Sequence, residues 1–157
     1  MEGTTEVLCF QELLRKLNKD QKFVIMQLGG SSLINEKVAP QLSELARITD
    51  SKRIHVYIDS ERETPDAPLD TERQGFIRIC SELGFNARAS DRKATENYFP
   101  QTAITRALGR GYQALTPYQR LKEAARPWRK ADNYKIAREM QFEDIQETDL
   151  GRFLCSI

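Results

Sequence analysis

The sequence contains few of the residues that define several common kinds of protein site. It has three cysteines and one histidine in 157 residues, and the cysteine spacing matches neither a disulfide framework nor a zinc site. Cys9 and Cys80 lie on the apolar sides of predicted helices and are interpreted as buried thiols. No stretch approaches the roughly eighteen apolar residues of a membrane span, and the amino terminus has no secretory apolar region. We therefore expect a cytoplasmic protein with no membrane partner.

Two catalytic classes also lack their usual residues. No Gly-x-x-x-x-Gly-Lys-Ser/Thr phosphate loop is present, so we expect that this chain alone does not hydrolyse ATP and that any ATPase lies elsewhere. The single histidine, His55, stands inside a predicted strand. That position is typical of a packed or half-exposed side chain and not of a general base.

Charge is balanced in total but uneven along the chain. The formal net charge is +1, from 24 basic and 23 acidic residues. The segment from Asp59 to Glu72 is acidic, whereas the segment from Arg88 to Lys130 is strongly basic. A phosphodiester bound through a metal ion and cations would suit both segments. The alternative is that these charges form solvated faces of amphipathic helices.

Strands and helices alternate in the first ninety residues, which predicts an α/β fold with a mostly parallel sheet between helices. We expect one domain over residues 1–157, with an α/β core at 1–90 and a mainly helical extension at 91–157. The predicted strands are Lys22–Leu28, Ile54–Ile58 and Phe85–Ala89. The predicted helices are 5–17, with Thr4 as its cap, one from about Lys37, one from Asp70 to Gly84, and 100–108, 117–125, 130–140 and 148–156.

Residues 1–5 have the composition of a turn between a strand and a helix, yet no strand comes before them in the sequence. The predicted sheet therefore lacks one member. Two interpretations stay open: the chain is the carboxyl-terminal part of something longer, or it begins at an internal boundary.

Two carboxylates directly follow the predicted strand at 54–58. Asp59 and Glu61 are two residues apart, so in an extended chain they project to the same side and can address one divalent cation. In open α/β sheets, ligands bind beyond the carboxyl ends of the strands. The alternative is a strand that ends in an acidic, solvated loop.

Four short motifs occur in a recognisable order, each at a strand end or in the following loop. Together they resemble the TOPRIM nuclease domain of the overcoming-lysogenization-defect (OLD) family of ATP-dependent endonucleases, over nearly the whole chain. The motifs are Glu2-Gly3-Thr4-Thr5-Glu6, Gly29-Gly30-Ser31-Ser32, Asp59-Ser60-Glu61-Arg62 and Glu96-Asn97-Tyr98-Phe99.

The resemblance implies a site for one or two Mg²⁺ or Mn²⁺ ions. The family's invariant glutamate falls on Glu2, and its Asp-x-Asp motif falls on Asp59 and Glu61, where Glu replaces the second Asp. This replacement moves one carboxylate outward by a methylene and favours Mn²⁺ over the geometrically strict Mg²⁺. Glu96 matches a further acidic position; its alternative is a solvent-facing or helix-capping residue.

The resemblance also implies a lysine that stabilises the transition state. Lys135 is the preferred match and Lys130 its rival. The expected phosphate and nucleic-acid contacts are Gly29, Gly30, Ser31 or Ser32, Arg62, Arg92, Lys93 and Lys130. For Gly29 and Gly30, the alternative is a tight turn.

We predict a metal-dependent DNA endonuclease, and the resemblance to the OLD family implies that it serves in phage defence beside an ATPase domain or subunit. The alternative is a non-catalytic interaction domain that keeps the TOPRIM fold. A weaker alternative is a primase-like or topoisomerase-like TOPRIM domain. Whether the chain forms a homo-oligomer stays open.

Overall fold

A computed structural model describes residues 3–30 and 33–157. The described chain forms six α-helices and two β-strands, joined by loops and short 3₁₀ turns, which confirms the α/β class. The elements are α1 (Thr4–Lys16), α2 (Ala39–Ile48), β1 (His55–Ile58), α3 (Thr71–Glu82), β2 (Asn86–Ala89), α4 (Gln101–Leu108), α5 (Asn133–Glu139) and α6 (Asp149–Ser156).

Helix α3 begins and ends where its sequence signals predict. The Asp70 side chain accepts a hydrogen bond from the backbone N–H of Arg73, which satisfies one of the free amide groups of the first turn. Gly84 has a φ of 81°, a left-handed conformation that glycine adopts without steric cost at a helix end. By contrast, the prediction that Thr4 caps α1 is wrong. Gly3 is the N-cap, and the Thr4 hydroxyl donates to Gln27 Oε1 at 2.6 Å.

Strands β1 and β2 pair in parallel, with His55 opposite Asn86 and Ile58 opposite Ala89. Helix α3 connects them, as a parallel pair requires. Side chains alternate across β1, so Val56 and Ile58 pack with α2 and α3, while Tyr57 packs with α1 and α6. Strand β1 is therefore buried on both faces, which gives the layered core of an α/β domain.

The buried apolar residues form two clusters, and the larger one extends well beyond the sheet. Helices α1, α4, α5 and α6 pack around Tyr57 and Trp128, and they contribute most of the larger cluster of buried apolar residues. Cys9 and Cys80 are buried, as predicted. Burial raises the pKa of the Cys80 thiol to about 11. In the part of the chain that the structure describes, no helix combines the length and apolar character that a bilayer crossing requires.

Two predicted elements are wrong. Residues 23–28 form no strand, and Val24 is 90% exposed. A strand needs a hydrogen-bonded neighbour, and the described residues form only the pair of β1 and β2. The predicted helix at 117–125 is only a 3₁₀ turn at Leu121–Glu123 with no buried residue. Because a short helix gains most of its stability from packing an apolar face, this exposed segment stays irregular.

Candidate functional site

A groove opens beyond the carboxyl ends of β1 and β2, at the edge of the sheet where the sequence predicts a ligand. We call it the strand-end groove; its volume is about 630 Å³. Its charged lining residues are Glu61, Glu63, Glu96, Lys93, Arg120, Lys122 and Lys130. Carboxylates and cations therefore share one surface, which joins the acidic segment after β1 with the basic segment after β2.

Asp59 is fixed beneath this groove and is only 3% exposed. Its Oδ1 accepts hydrogen bonds from the Thr95 backbone N–H at 2.9 Å and from the Thr95 hydroxyl at 3.0 Å. Its backbone carbonyl accepts from Arg73 Nε at 2.9 Å. These hydrogen bonds hold the carboxylate in one orientation. Asp59 does not line the groove itself.

The two strand-end loops are tied to each other through Ser60 and Ser90. The backbone N–H of Ser60 donates to Ser90 Oγ, and both hydroxyls donate to the carbonyl of Arg92. These four atoms connect the loop after β1 to the loop after β2. The position of Asp59 relative to the Glu96 turn is thus set by the backbone of both loops.

Glu61 departs from the extended geometry that the sequence analysis assumes. Its φ is 55°, in the left-handed region, and its N–H donates to the carbonyl of Lys93 at 2.9 Å. Residues two apart share a side only in extended chain. The Glu61 carboxylate lies 3.5 Å from Lys93 Nζ and its side chain is 41% exposed. The structure therefore pairs Glu61 with a lysine at the groove wall.

The backbone at Glu61 supports a stability prediction. We expect Glu61→Gly to be more stable than Glu61→Ala by about 1 kcal/mol, because an L-residue pays roughly that amount in the left-handed conformation and glycine does not. Both variants remove the carboxylate, so their difference isolates the backbone. Urea unfolding of the two proteins measures it, and an alanine variant at least as stable as the glycine variant would contradict a left-handed Glu61.

Glu96 is the most deeply buried carboxylate of the groove, at 2% exposure. Its Oε1 lies 3.3 Å from Lys130 Nζ. That contact is an ion pair without hydrogen-bond geometry, since Oε1 has no hydrogen-bond partner among the described residues. A buried carboxylate oxygen without a hydrogen bond costs free energy, and it is a donor that a divalent cation would bind if Lys130 moved aside.

Three carboxylates raise the pKa of Lys130. Burial acts to lower its pKa, but the negative charges of Glu96, Asp59 and Glu6 outweigh burial and raise it to about 12. The same three carboxylates act on the Cys9 thiol. Burial raises the pKa of this thiol, and the negative charges of Glu96, Glu6 and Asp59 raise it further. The negative charges of Asp59, Glu96 and Glu6 therefore act on both Lys130 and Cys9.

Glu6 is a candidate that the sequence analysis did not assign to the site. It is 8% exposed, in the first turn of α1. The signal was present, since Glu6 is the last residue of the Glu2-Gly3-Thr4-Thr5-Glu6 motif. Glu2 and Ser31, both predicted site residues, lie outside the described residues.

The structure brings Lys130 to the groove and leaves Lys135 outside it. Lys130 lines the groove beside Glu96, whereas Lys135 Nζ bonds Asp132 Oδ1 at 2.8 Å, one helical turn from its own position. Between the two lysines that the sequence left as rivals, only Lys130 has the position that charge stabilisation in this groove requires.

The other predicted phosphate-binding residues differ in the contacts that they make. Lys93 is buried and donates to the carbonyl of Glu61 and to Glu63 Oε1 at 3.0 Å. The Arg92 guanidinium lies 4.7 Å from the centre of the Tyr98 ring and donates to the Asn97 carbonyl, which is a structural role. Arg62 has a buried Nε without a hydrogen-bond partner in the described chain.

Gly29 and Gly30 both have left-handed backbone, with φ of 93° and 95°. They follow residues 23–28 and are not among the residues that line the strand-end groove. The tight-turn interpretation of these two glycines is the one that their backbone matches.

Glu63 and Arg120 are groove residues that the sequence analysis did not single out as site residues. Glu63 contacts both Lys93 and Arg120, and the hydrogen bonds from Arg120 and Lys93 lower the pKa of the Glu63 carboxyl. The basic segment from Arg88 to Lys130 was the available signal for Arg120. Its position in the groove depends on the irregular segment 117–125, which the sequence predicted to be helical.

Comparisons with known proteins assign no family. The chain matches no protein-family model, and no curated protein or solved structure matches it significantly.

The described residues only partly fit a divalent metal. Their carboxylate oxygens are the donors that Mg²⁺ and Mn²⁺ prefer. However, within residues 3–30 and 33–157, no three His, Cys, Asp or Glu side chains are close enough together to hold an ion. Two ammonium groups, of Lys93 and Lys130, lie beside the carboxylates instead. A metal site here needs either Glu2 or a shift of these lysines.

Proposed function

We propose that this chain is a metal-dependent phosphodiesterase acting on DNA, with a TOPRIM-like site in the strand-end groove. The observation that carries the proposal is the buried Glu96 carboxylate beyond the carboxyl ends of two parallel strands, near Asp59. Among the described residues its Oε1 has an ion pair with Lys130 at 3.3 Å and no partner in hydrogen-bond geometry. Buried charges at such an edge are expensive for folding, and they are common where a protein binds a charged ligand.

The proposed roles combine the burial and charge of the described residues with the resemblance, which alone supplies Glu2. Asp59, Glu61, Glu96 and Glu2 would hold Mg²⁺ or Mn²⁺, which supplies an activated water and relieves charge on the departing oxygen. Lys130 adds positive charge where negative charge develops on the phosphate. Arg120 and Lys122, at the outer part of the groove, attract the phosphates that flank the cleaved bond. The ATPase and the defence role belong to the same proposal and depend on the OLD resemblance.

Trp128 offers a direct test of metal binding. It is the only tryptophan, is buried, and lines the groove together with Glu96 and Lys130. Mn²⁺ is paramagnetic and quenches a nearby indole. We expect Mn²⁺ to quench the fluorescence in a saturable way, Mg²⁺ to compete, and Glu96→Gln to weaken the effect at least tenfold. Glu82→Gln, on the exposed end of α3, is the matched control.

The second candidate function is a non-catalytic interaction domain. It is favoured by the two lysines that already neutralise the carboxylates in the groove. If millimolar Mn²⁺ leaves the Trp128 fluorescence unchanged, this second candidate replaces the first.

A further inference from the structure

The edge of β1 that faces away from β2 carries backbone groups without a hydrogen-bond partner among the described residues. The carbonyls of Ile54 and Ile58 accept hydrogen bonds from Asn86 and Ser90 on the β2 side, both at 2.9 Å. Backbone groups of successive strand residues point to opposite edges. The N–H and C=O groups of His55 and Tyr57 therefore point to the other edge, and the described residues offer them no hydrogen-bond partner.

This edge does not lie on a flat, solvent-exposed surface. It forms one wall of a second groove, of about 730 Å³, whose opposite wall is the irregular segment 22–28. We call it the edge groove. Tyr57 is 2% exposed, so its backbone lies in an apolar environment where an unpaired polar group is costly.

The two faces of the edge groove are both apolar. Phe10, Leu14 and Phe153 line one face and belong to the larger core cluster. Leu42 and Leu45, of α2, line the other face. A strand that enters the groove would place alternate side chains against each of these faces. Strands buried in this way are continuous apolar runs, without the polar alternation of a half-exposed strand.

The charges of the edge groove have one sign. Its charged lining residues within the described chain are Lys22, Lys52 and Arg53, with no acidic residue among them. Lys52 and Arg53 are separated from β1 only by Ile54. Lys22 is the first residue of the opposite wall, next to Phe23, whose ring centre lies 6.1 Å from that of His55. The positive charge is therefore concentrated at the end of the groove where β1 begins.

We propose that the edge groove binds a β-strand of a partner protein, which pairs in parallel with β1 and extends the sheet. The strand has at least four consecutive apolar residues, and acidic residues precede them. The apolar run fills both faces, its backbone pairs with His55 and Tyr57, and its acidic amino end lies beside Lys52 and Arg53. Addition of a strand to a sheet edge is an established mode of peptide recognition. This inference does not depend on the proposed nuclease function.

The test uses the full chain and a fluorescein-labelled peptide, Asp-Asp-Val-Ile-Val-Ile-Gly-Ser, followed by fluorescence anisotropy. We expect saturable binding, and binding at least tenfold weaker for a peptide that begins Lys-Lys in place of Asp-Asp. A peptide with proline at its second isoleucine is expected not to bind, because proline cannot donate to the ladder.

A substitution in β1 tests the pairing itself. His55→Pro removes one N–H from the free edge and leaves the bonds to β2 in place. Ile54 has φ −94° and ψ 118°, a conformation that is compatible with a following proline. We expect His55→Pro to bind the peptide at least tenfold more weakly than His55→Ala, because both variants lose the same side chain and only His55→Ala keeps the N–H. Circular dichroism establishes that both variants fold.

Three results would overturn the proposal. The first is the absence of peptide binding by the original chain. The second is equal binding by His55→Pro and His55→Ala when both are folded. The third is a dimer of the original chain, seen by sedimentation, that becomes monomeric only in His55→Pro, since a second copy would then occupy the edge.

Discussion

Asp59→Asn is expected to reduce Mn²⁺-dependent nicking of supercoiled plasmid by at least about 100-fold while the protein stays folded. Metal ions supply several kcal/mol of charge stabilisation in such reactions, and each 1.36 kcal/mol is a factor of ten in rate. Asparagine keeps an Oδ1 that accepts the two hydrogen bonds from Thr95, so the substitution removes the charge and preserves the local geometry. Gel electrophoresis of plasmid forms over time measures the rate.

The matched control is Asp66→Asn, which removes an exposed acid from the loop that follows β1. It is expected to nick plasmid at the original rate. Nicking by Asp59→Asn at that same rate would remove Asp59 from the mechanism. A folded original chain that does not nick in Mg²⁺ or Mn²⁺ would favour the interaction-domain alternative.

Lys130→Met is expected to lower the free energy of unfolding by about 2 kcal/mol. Removing one partner of a fully buried ion pair costs roughly 3–5 kcal/mol, because the other charge is left uncompensated. The cost here is smaller, since the Lys130 side chain is 51% exposed while that of Glu96 is 2% exposed. For a domain of this size, 2 kcal/mol corresponds to a fall in Tm of about 4–8 °C. Thermal unfolding followed by circular dichroism measures it.

A second substitution separates the ion pair from general packing. Glu96→Gln in the Lys130→Met background removes the uncompensated charge and is expected to restore about half of the lost stability. Lys122→Met is the control: Lys122 is an exposed lysine on the same groove, and its loss is expected to change stability by less than about 0.5 kcal/mol. An unchanged Tm in Lys130→Met would show that the pair does not stabilise the fold.

Local signals in the sequence predicted much of the fold. Asp70 and Gly84 bound α3 because capping and left-handed backbone depend on neighbouring residues only. The alternation of strand and helix around Ile58 likewise gave the α/β class and the parallel pairing of β1 with β2. The predicted strand at 22–28 failed for the opposite reason. Its apolar residues have strand composition, but a strand forms only with a neighbour at the right distance.

The candidate site was likewise predicted only in part. The sequence placed Asp59 and Glu61 beyond a strand, and the structure has them there. It did not predict the left-handed backbone of Glu61, which depends on a hydrogen bond to Lys93 in another loop. Nor did it distinguish Lys130 from Lys135, since both are lysines near the start of a helical segment.

The sequence by itself thus determined both ends of α3, the α/β class, and the carboxylates after β1. The tertiary structure decided which lysine contacts Glu96, which carboxylates raise the pKa of that lysine, and which edge of β1 has no partner strand among the described residues. The physical reason is the distance along the chain over which each kind of interaction acts. Caps and periodicity act within one or two turns of chain, whereas burial, ion pairing and strand pairing depend on which distant segments fold against one another.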